Sequence, residues 1–163
     1  MAWYAVYTRS RAEKKLAEKL ELLGIESYLP IKRELRTWSD RKKWVELPAI
    51  NGYLFVNIED KQRDILYNIP HFVAFVRAFG EAAKIPPFQI ELMRKTVAQN
   101  IPFTIEANAL TVGRLVRILT PPFENIEGII TKTATRNRIY ITLQGTDLSI
   151  VIDSDKFEVE LVE

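Results

Sequence analysis

The stretch Gly52-Tyr53-Leu54-Phe55-Val56-Asn57-Ile58 predicts a β-strand with two different apolar faces. Alternation places the aliphatic side chains on one face and the aromatic ones, Tyr53 and Phe55, on the other. The aliphatic face suits helices from the same domain. The aromatic face needs a second layer, so it indicates either a strand buried on both sides of a sandwich or a surface that a partner covers.

The composition is typical of a soluble globular protein, because 47% of the 163 residues are hydrophobic and 27% are charged. A long apolar run and a charged leader are both absent, so we expect no membrane span and a cytoplasmic protein. The lack of cysteine excludes disulfides and thiolate sites, and a single histidine argues against a histidine metal site or a Ser-His triad. With no Gly-rich phosphate loop, we expect no enzyme and no cofactor.

A helix is predicted to begin at Ser10, where Glu13 completes a capping box, and to end at Gly24. Its buried stripe comprises Ala12, Leu16, Leu20 and Leu23. Its basic residues recur at one-turn intervals: Arg11, Lys15 and Lys19. This basic row fits either a solvated face paired with Glu18 and Glu21 or a surface that meets phosphate.

A basic cluster lies in a predicted hairpin over residues 35–45. The net charge of the chain is only +2, yet Lys32 to Lys43 holds six basic residues against two acidic ones. Trp38 and Trp44 flank the tip at Ser39-Asp40. Aromatic rings among cations predict a nucleic-acid contact, whereas tryptophans packed across the two strands would make a solvated hairpin.

The remaining elements predict an α+β sandwich followed by a barrel. Strands are predicted at Ala2–Thr8, Ile25–Leu29 and His71–Phe79, a short helix capped by Asp60 extends to Asn68, and a third helix begins at Pro86-Pro87. Residues 101–111 have weak periodicity and predict a linker. Short β-branched runs then follow at 115–118, 128–130, 139–143 and 148–152. We therefore expect an N-terminal α/β sandwich over residues 1–100 and a small all-β barrel over 112–163.

Four motifs carry a resemblance to a known family. They are Trp3-Tyr4-Ala5-Val6-Tyr7, Gly52-Tyr53-Leu54-Phe55-Val56, Phe75-Val76-Arg77, and Pro122-Phe123 with Gly128. In this order and spacing they resemble NusG-type transcription elongation factors over nearly the whole chain. The resemblance is greatest to the specialised paralogues RfaH and UpxY, the latter being antiterminators of Bacteroides capsule operons. It implies a NusG N-terminal domain followed by an SH3-like KOW barrel.

The resemblance also implies partners and site residues. The N-terminal domain would bind the clamp helices of RNA polymerase through a hydrophobic patch of Ile50, Tyr53, Phe55, Ile90 and Met93. The positions where RfaH meets nontemplate DNA match Arg9, Lys15 and Lys19, and Arg11 belongs to the same row. A protein that bridges the clamp would disfavour pause-related opening. The implied function is antitermination on specific operons, such as those for polysaccharide synthesis.

A ribosome-associated KOW protein that binds RNA is the alternative interpretation, because it would use the same barrel and basic patches. Where the family's barrel loop reads Ile-Phe-Gly-Arg and contacts a small-subunit ribosomal protein and Rho, this chain has Leu143-Gln144-Gly145-Thr146. The ribosome is thus a second candidate partner, through the KOW domain. In either case we expect a monomer without a membrane contact.

Overall fold

The computed structural model describes residues 1–108, 112–132 and 135–162. The backbone forms two compact units, Met1–Pro87 and Phe88–Glu163. Each unit contains its own antiparallel sheet. No helix among the described residues combines the length and the apolar content that a membrane span requires.

The first unit is built on a sheet in which the predicted organising strand lies next to the N-terminal strand. The strands of this unit are β1 (Ala2–Thr8), β2 (Glu26–Tyr28), β3 (Ile31–Trp38), β4 (Arg41–Pro48), β5 (Tyr53–Ile58), β6 (Phe72–Phe75), β7 (Arg77–Ala78), β8 (Glu81–Ala82) and β9 (Lys84–Ile85). Its helices are α1 (Glu13–Leu22) and a 3-10 helix, Asp60–Asn68. The main sheet has the order β2-β5-β1-β6, and β9 also pairs with β1. Strands β3 and β4 form a separate two-stranded hairpin, as predicted.

The aliphatic face of β5 lies in the core of the first unit, as its alternation predicts. Leu54, Val56 and Ile58 join a buried cluster with Leu16 and Leu20 of α1. The same cluster includes Tyr4 and Val6 from β1, Leu66 from the 3-10 helix, Ile69 just after it, and Phe72 and Phe75 from β6. Burying one such aliphatic side chain contributes roughly 1.5–3 kcal/mol, so this face accounts for the packing of α1 on the sheet.

Tyr4 anchors the 3-10 helix to the core. Its ring is fully buried, its hydroxyl donates a hydrogen bond to Asp60, and the Arg63 guanidinium covers the ring at 5.4 Å from its centroid. Burial, together with that hydrogen bond, raises the pKa of Tyr4 to about 12. The same bond, against the effect of desolvation and aided by Lys84, lowers the pKa of Asp60.

Several local predictions were wrong because distant residues use the side chains concerned. Helix α1 begins after Ala12, which has no side-chain cap, so the capping box at Ser10 does not form. Glu59, not Asp60, caps the 3-10 helix, and Gln62 completes that capping box. Leu23, expected in the buried stripe, is 58% exposed and directly follows the end of α1 at Leu22.

The strand predicted from His71 to Phe79 is interrupted. His71 has a φ of 76°, typical of a turn, and the observed strands are β6 and the short β7. Val76 lies between these two strands and donates its N–H to the Ala5 carbonyl at 2.9 Å. Strand β7 then pairs with β8 in a separate small sheet, which breaks the continuous strand that the apolar run predicts.

The second unit combines an α-helix and a short 3-10 helix with a six-stranded antiparallel sheet. Its elements are α2 (Pro87–Ala98), β10 (Phe103–Ala107), β11 (Arg114–Ile118), β12 (Glu127–Lys132), β13 (Asn137–Thr142), β14 (Leu148–Asp153), a 3-10 helix (Ser154–Lys156) and β15 (Val159–Leu161). The sheet order is β10-β14-β13-β12-β11-β15. Gly128 is required on β12, because a Cβ there would lie 2.7 Å from Ile139 Cγ2 and 2.8 Å from the Tyr140 carbonyl oxygen.

The boundary between the two units, after Pro87, differs from the domain boundary near residue 100 that the sequence predicts. Strand β10 lies inside the segment predicted as a linker, and it pairs with β14 from Phe103↔Ile152 to Ala107↔Leu148. Helix α2, which we expected to belong with residues 1–100, falls after Pro87 in the second unit, except for its first residue. Residues 109–111, the end of the predicted linker, lie outside the described residues.

Candidate functional site

The aromatic face of the first sheet is made by two paired strands. The register of β1 with β5 sets Tyr7 opposite Tyr53 and Ala5 opposite Phe55, so these side chains share one face. Trp3 lies on the same face and is 7% exposed, and Phe55 is fully buried. Tyr53 and Tyr7 are partly exposed, with ring centroids 5.0 Å apart. The accessible end of this face is therefore the Tyr7 and Tyr53 end.

Three hydrogen bonds join the elements around that end. The Thr8 N–H donates to the Gly52 carbonyl at 2.9 Å, and the Arg9 N–H donates to the His71 carbonyl at 2.9 Å. The Gly52 N–H donates to Glu13 Oε1 at 2.7 Å, and Glu13 is 4% exposed. The end of β1, the start of α1 and the turn before β5 are thus held together, which places Arg9 at the end of the aromatic face.

The predicted basic residues are all exposed, although they do not form one regular helical row. Lys15 and Lys19 lie on α1, whereas Arg9 and Arg11 precede the helix and Arg11 has a φ of 59°. Within the part of the chain that the structure describes, none of the four forms an ion pair. Pairing of the lysines with Glu18 and Glu21, the alternative for a solvated face, is therefore not formed.

The basic residues and the aromatic face lie on different sides of the sheet. Helix α1 packs Leu16 and Leu20 on the aliphatic face, and this leaves Lys15 and Lys19 in solvent on that side. Tyr53 belongs to the opposite face. Arg9, at the end of β1, lies where the two sides meet. A partner that touched both sets would have to contact the sheet around this end.

Helix α2 carries two further predicted site residues, and both are completely buried. Ile90 and Met93 have no exposed surface. Gln89, which is 4% exposed, holds the helix to the turn after β13: its amide nitrogen donates to the Thr142 carbonyl at 3.0 Å, and its Oε1 accepts from the Gln144 N–H at 2.9 Å. Gln144 belongs to the loop that departs from the family pattern.

The sequence did not identify three residues described above: Trp3 and Tyr7 of the aromatic face, and Gln89 of α2. The alternation in β1 already sets Trp3 and Tyr7 on one face, but only the register with β5 shows that this face is shared with Tyr53. No sequence signal identifies Gln89, because its two partners are backbone groups more than fifty residues away. The fifth residue predicted to contact polymerase, Ile50, is partly buried just before the Gly52 turn.

Comparison with known proteins identifies relatives of both parts of the chain. A family model described as "Transcription termination factor nusG" matches residues 1–96. The "Transcription termination/antitermination protein NusG" of Staphylococcus aureus, in strains Mu50 and N315, is 26% identical over 173 aligned positions, covering 96% of this chain and 94% of that protein. A solved structure described as "Domain interaction in Thermotoga maritima NusG" has a TM-score of 0.59 at 24% identity and covers 99% of this chain and 97% of that one. This last similarity supports the fold.

Proposed function

We propose that this chain, which belongs to the NusG family of transcription termination and antitermination factors, acts by binding the clamp helices of RNA polymerase. The match over residues 1–96 carries the proposal, because it includes the whole aromatic face and the basic residues at its end. A factor that bridges the clamp would favour the closed clamp by its differential affinity for that state, and so suppress pausing or termination.

The residues proposed to contact polymerase are Ile50, Tyr53 and Phe55 in the first unit, and Ile90 and Met93 in the second. Tyr53 is accessible, so it would make the first contact. Phe55, Ile90 and Met93 are fully buried and would need to be uncovered before a partner could touch them. The cost of uncovering them lowers the apparent affinity, which equals the intrinsic affinity multiplied by the fraction of molecules in the open state. The proposal therefore requires a conformational opening of the protein described here.

The proposed nucleic-acid contact is the exposed set Arg9, Arg11, Lys15 and Lys19. These four cations form no ion pair with any residue that the structure describes, so they could neutralise phosphates of the nontemplate strand. Such contacts position a protein without reading sequence. We expect this set to strengthen recruitment to any elongation complex. Choice of target operon would then depend on other contacts.

Within the NusG family, the chain is proposed to be a specialised paralogue of the RfaH or UpxY type. It would act on operons such as those for polysaccharide synthesis. The six-stranded sheet of the second unit is proposed to be the SH3-like KOW barrel. Its Leu143-Gln144-Gly145-Thr146 loop lacks the aromatic residue of the family's Ile-Phe-Gly-Arg segment, and this loop is held by Gln89. A factor with such a loop would contact the ribosome or Rho differently from housekeeping NusG.

The test is binding of the full chain to purified RNA polymerase, followed by transcription with a pause site and a terminator. We expect the wild type to bind and to raise readthrough, and Tyr53→Ala to reduce both. Tyr67→Ala is the matched control: Tyr67 is 52% exposed and its ring contacts Phe72 on the opposite, core side of the sheet. Strong binding to structured RNA without polymerase binding would replace the proposal by the ribosomal alternative.

A further inference from the structure

The β3–β4 hairpin has two faces that carry different charges. In the sequence, the residues of both faces are interleaved in one basic cluster. Register pairs Leu35 with Trp44 and Trp38 with Arg41, so the two tryptophans lie on opposite faces and cannot pack against each other. Trp38 is 44% exposed and Trp44 is 58% exposed. Each tryptophan instead lies opposite a neighbour on the other strand, so the solvated hairpin remains the alternative to a nucleic-acid contact.

The charges of the hairpin are distributed unequally between these faces. The Trp38 face carries Lys32, Glu34, Arg36, Arg41 and Lys43. The Trp44 face carries Arg33, Lys42 and Glu46, together with the exposed Leu35. One face thus has four basic residues against one acidic residue, and the other has two against one. The first is an aromatic surface with a net charge of +3, in which Arg36 Nε donates to Glu34 Oε2 at 3.3 Å, whereas the second has a net charge of +1.

Each tryptophan has one guanidinium over its ring. The Arg41 Cζ atom lies 5.6 Å from the Trp38 ring centroid, and the Arg33 Cζ atom lies 5.4 Å from that of Trp44. These cation-π contacts hold the two exposed rings in a similar way. Each face therefore presents an exposed tryptophan ring with a guanidinium over it. The two faces differ in their remaining charges.

We propose that the Trp38 face of the hairpin binds single-stranded nucleic acid, with a base stacked on Trp38 and phosphates on Arg36, Arg41 and Lys43. Unpaired bases offer a π-face to an aromatic ring, and a cationic groove or ribbon follows the backbone without selecting sequence. Charge complementarity favours this occupant over a protein with an apolar surface, which would choose the Leu35 and Trp44 face. The inference goes beyond the proposed function, because it requires no polymerase.

Binding of labelled oligonucleotides to the full chain tests this site. The background variant Lys15→Ala/Lys19→Ala removes the contribution of α1, and the probes are oligothymidylate, oligouridylate and a mixed-sequence duplex. We expect Trp38→Ala to weaken binding to either single strand by about 5- to 100-fold, since stacking on one aromatic side chain contributes on that scale. Trp44→Ala, the matched control, should change binding by less than about twofold. Trp38→Phe should retain most of the affinity.

Salt dependence provides a second, independent readout. Arg36→Gln/Lys43→Gln should flatten the log-log salt slope by very roughly 0.7 for each lost contact. Arg33→Gln/Lys42→Gln removes the same number of charges from the Trp44 face and should flatten it less. Equal effects of the two tryptophan variants, a larger effect of Trp44→Ala, equal affinity for the duplex, or no single-strand binding at low salt would each overturn the proposal. Comparison of oligothymidylate with oligouridylate shows whether DNA or RNA is preferred.

Discussion

Replacing Gln89 by alanine is expected to loosen α2 from the second unit's sheet. The wild-type amide makes two hydrogen bonds with backbone groups, to the Thr142 carbonyl at 3.0 Å and from the Gln144 N–H at 2.9 Å. Each neutral hydrogen bond contributes about 1 kcal/mol net, so the two together contribute about 2 kcal/mol. This amount corresponds to a change of roughly 30-fold in the equilibrium between docked and undocked helix.

Hydrogen exchange at the Gln144 amide tests whether the Gln89 side chain protects this turn, because in Gln89→Ala that N–H loses its Oε1 acceptor. We expect exchange there to accelerate by up to about 30-fold in Gln89→Ala. The neighbouring Leu143 N–H is an internal reference: it donates to the Leu148 carbonyl at 2.8 Å and should keep its wild-type rate. Lys95→Ala, an exposed position on the same helix, is the control substitution.

Polymerase binding is the functional readout of the same substitution. Met93 lies one helical turn from Gln89 and on the same side of α2, so undocking that side uncovers a proposed contact residue. If the docked form dominates, apparent polymerase affinity should rise with the undocked fraction, up to the same factor of about 30. Unchanged exchange at Gln144 would refute the reasoning, as would equal acceleration at Leu143, which would indicate opening of the sheet itself.

The remaining predictions concern stability, salt and pH. Phe55→Ala should lower the free energy of unfolding by about 3–5 kcal/mol in chemical denaturation, because the ring is fully buried, whereas the partly exposed Tyr53→Ala should cost clearly less. A similar loss in both would place Tyr53 in the core. Lys15→Ala/Lys19→Ala should flatten the salt dependence of binding to an elongation complex with exposed nontemplate strand, by roughly 0.7 per contact; coincident slopes would show a merely solvated helix face. Burial raises the pKa of Tyr4 from its ordinary value of 10.0 to about 12. The neutral Tyr4 side chain therefore contributes fully to folding stability below pH 10, and this contribution is lost as the pH rises towards 12. Tyr4→Phe should therefore lack this alkaline loss of stability, and an identical pH profile for the variant would exclude Tyr4 as its source.

Strands were predictable where a local pattern was sufficient. The alternation in Ala2–Thr8 gives the bounds of β1, and the β-branched runs of the C-terminal half correspond to β11, β12, β13 and β14. The faces of β5 were also correct, because alternation alone assigns them. Each of these inferences uses only neighbouring residues, and period-2 geometry makes neighbours sufficient.

Side-chain roles that depend on distant partners were not predictable. Glu13 and Asp60 both stand where a helix cap is expected, and an isolated peptide would use them so. In the folded chain Glu13 accepts from the Gly52 N–H, 39 residues away, and Asp60 accepts from the Tyr4 hydroxyl, 56 residues away. A charge-assisted hydrogen bond to a donor shielded from water contributes more than an exposed cap, since a hydrogen bond to a charged group contributes about 1.5–3 kcal/mol. Tertiary structure therefore takes precedence over the local motif.

The aromatic face illustrates why sequence could not choose between a core and a docking surface. Both environments exclude water, so both favour apolar side chains at alternate positions, and Phe55 satisfies either requirement. Exposure separates the two cases along one strand: Phe55 is fully buried, whereas Tyr53, two residues earlier on the same face, keeps part of its surface in solvent beside Tyr7. A partner that first contacts Tyr53 gains the buried area of Phe55 only by displacing whatever covers it. Under the proposed function, binding energy at the exposed end of this face would thus be coupled to uncovering its buried end.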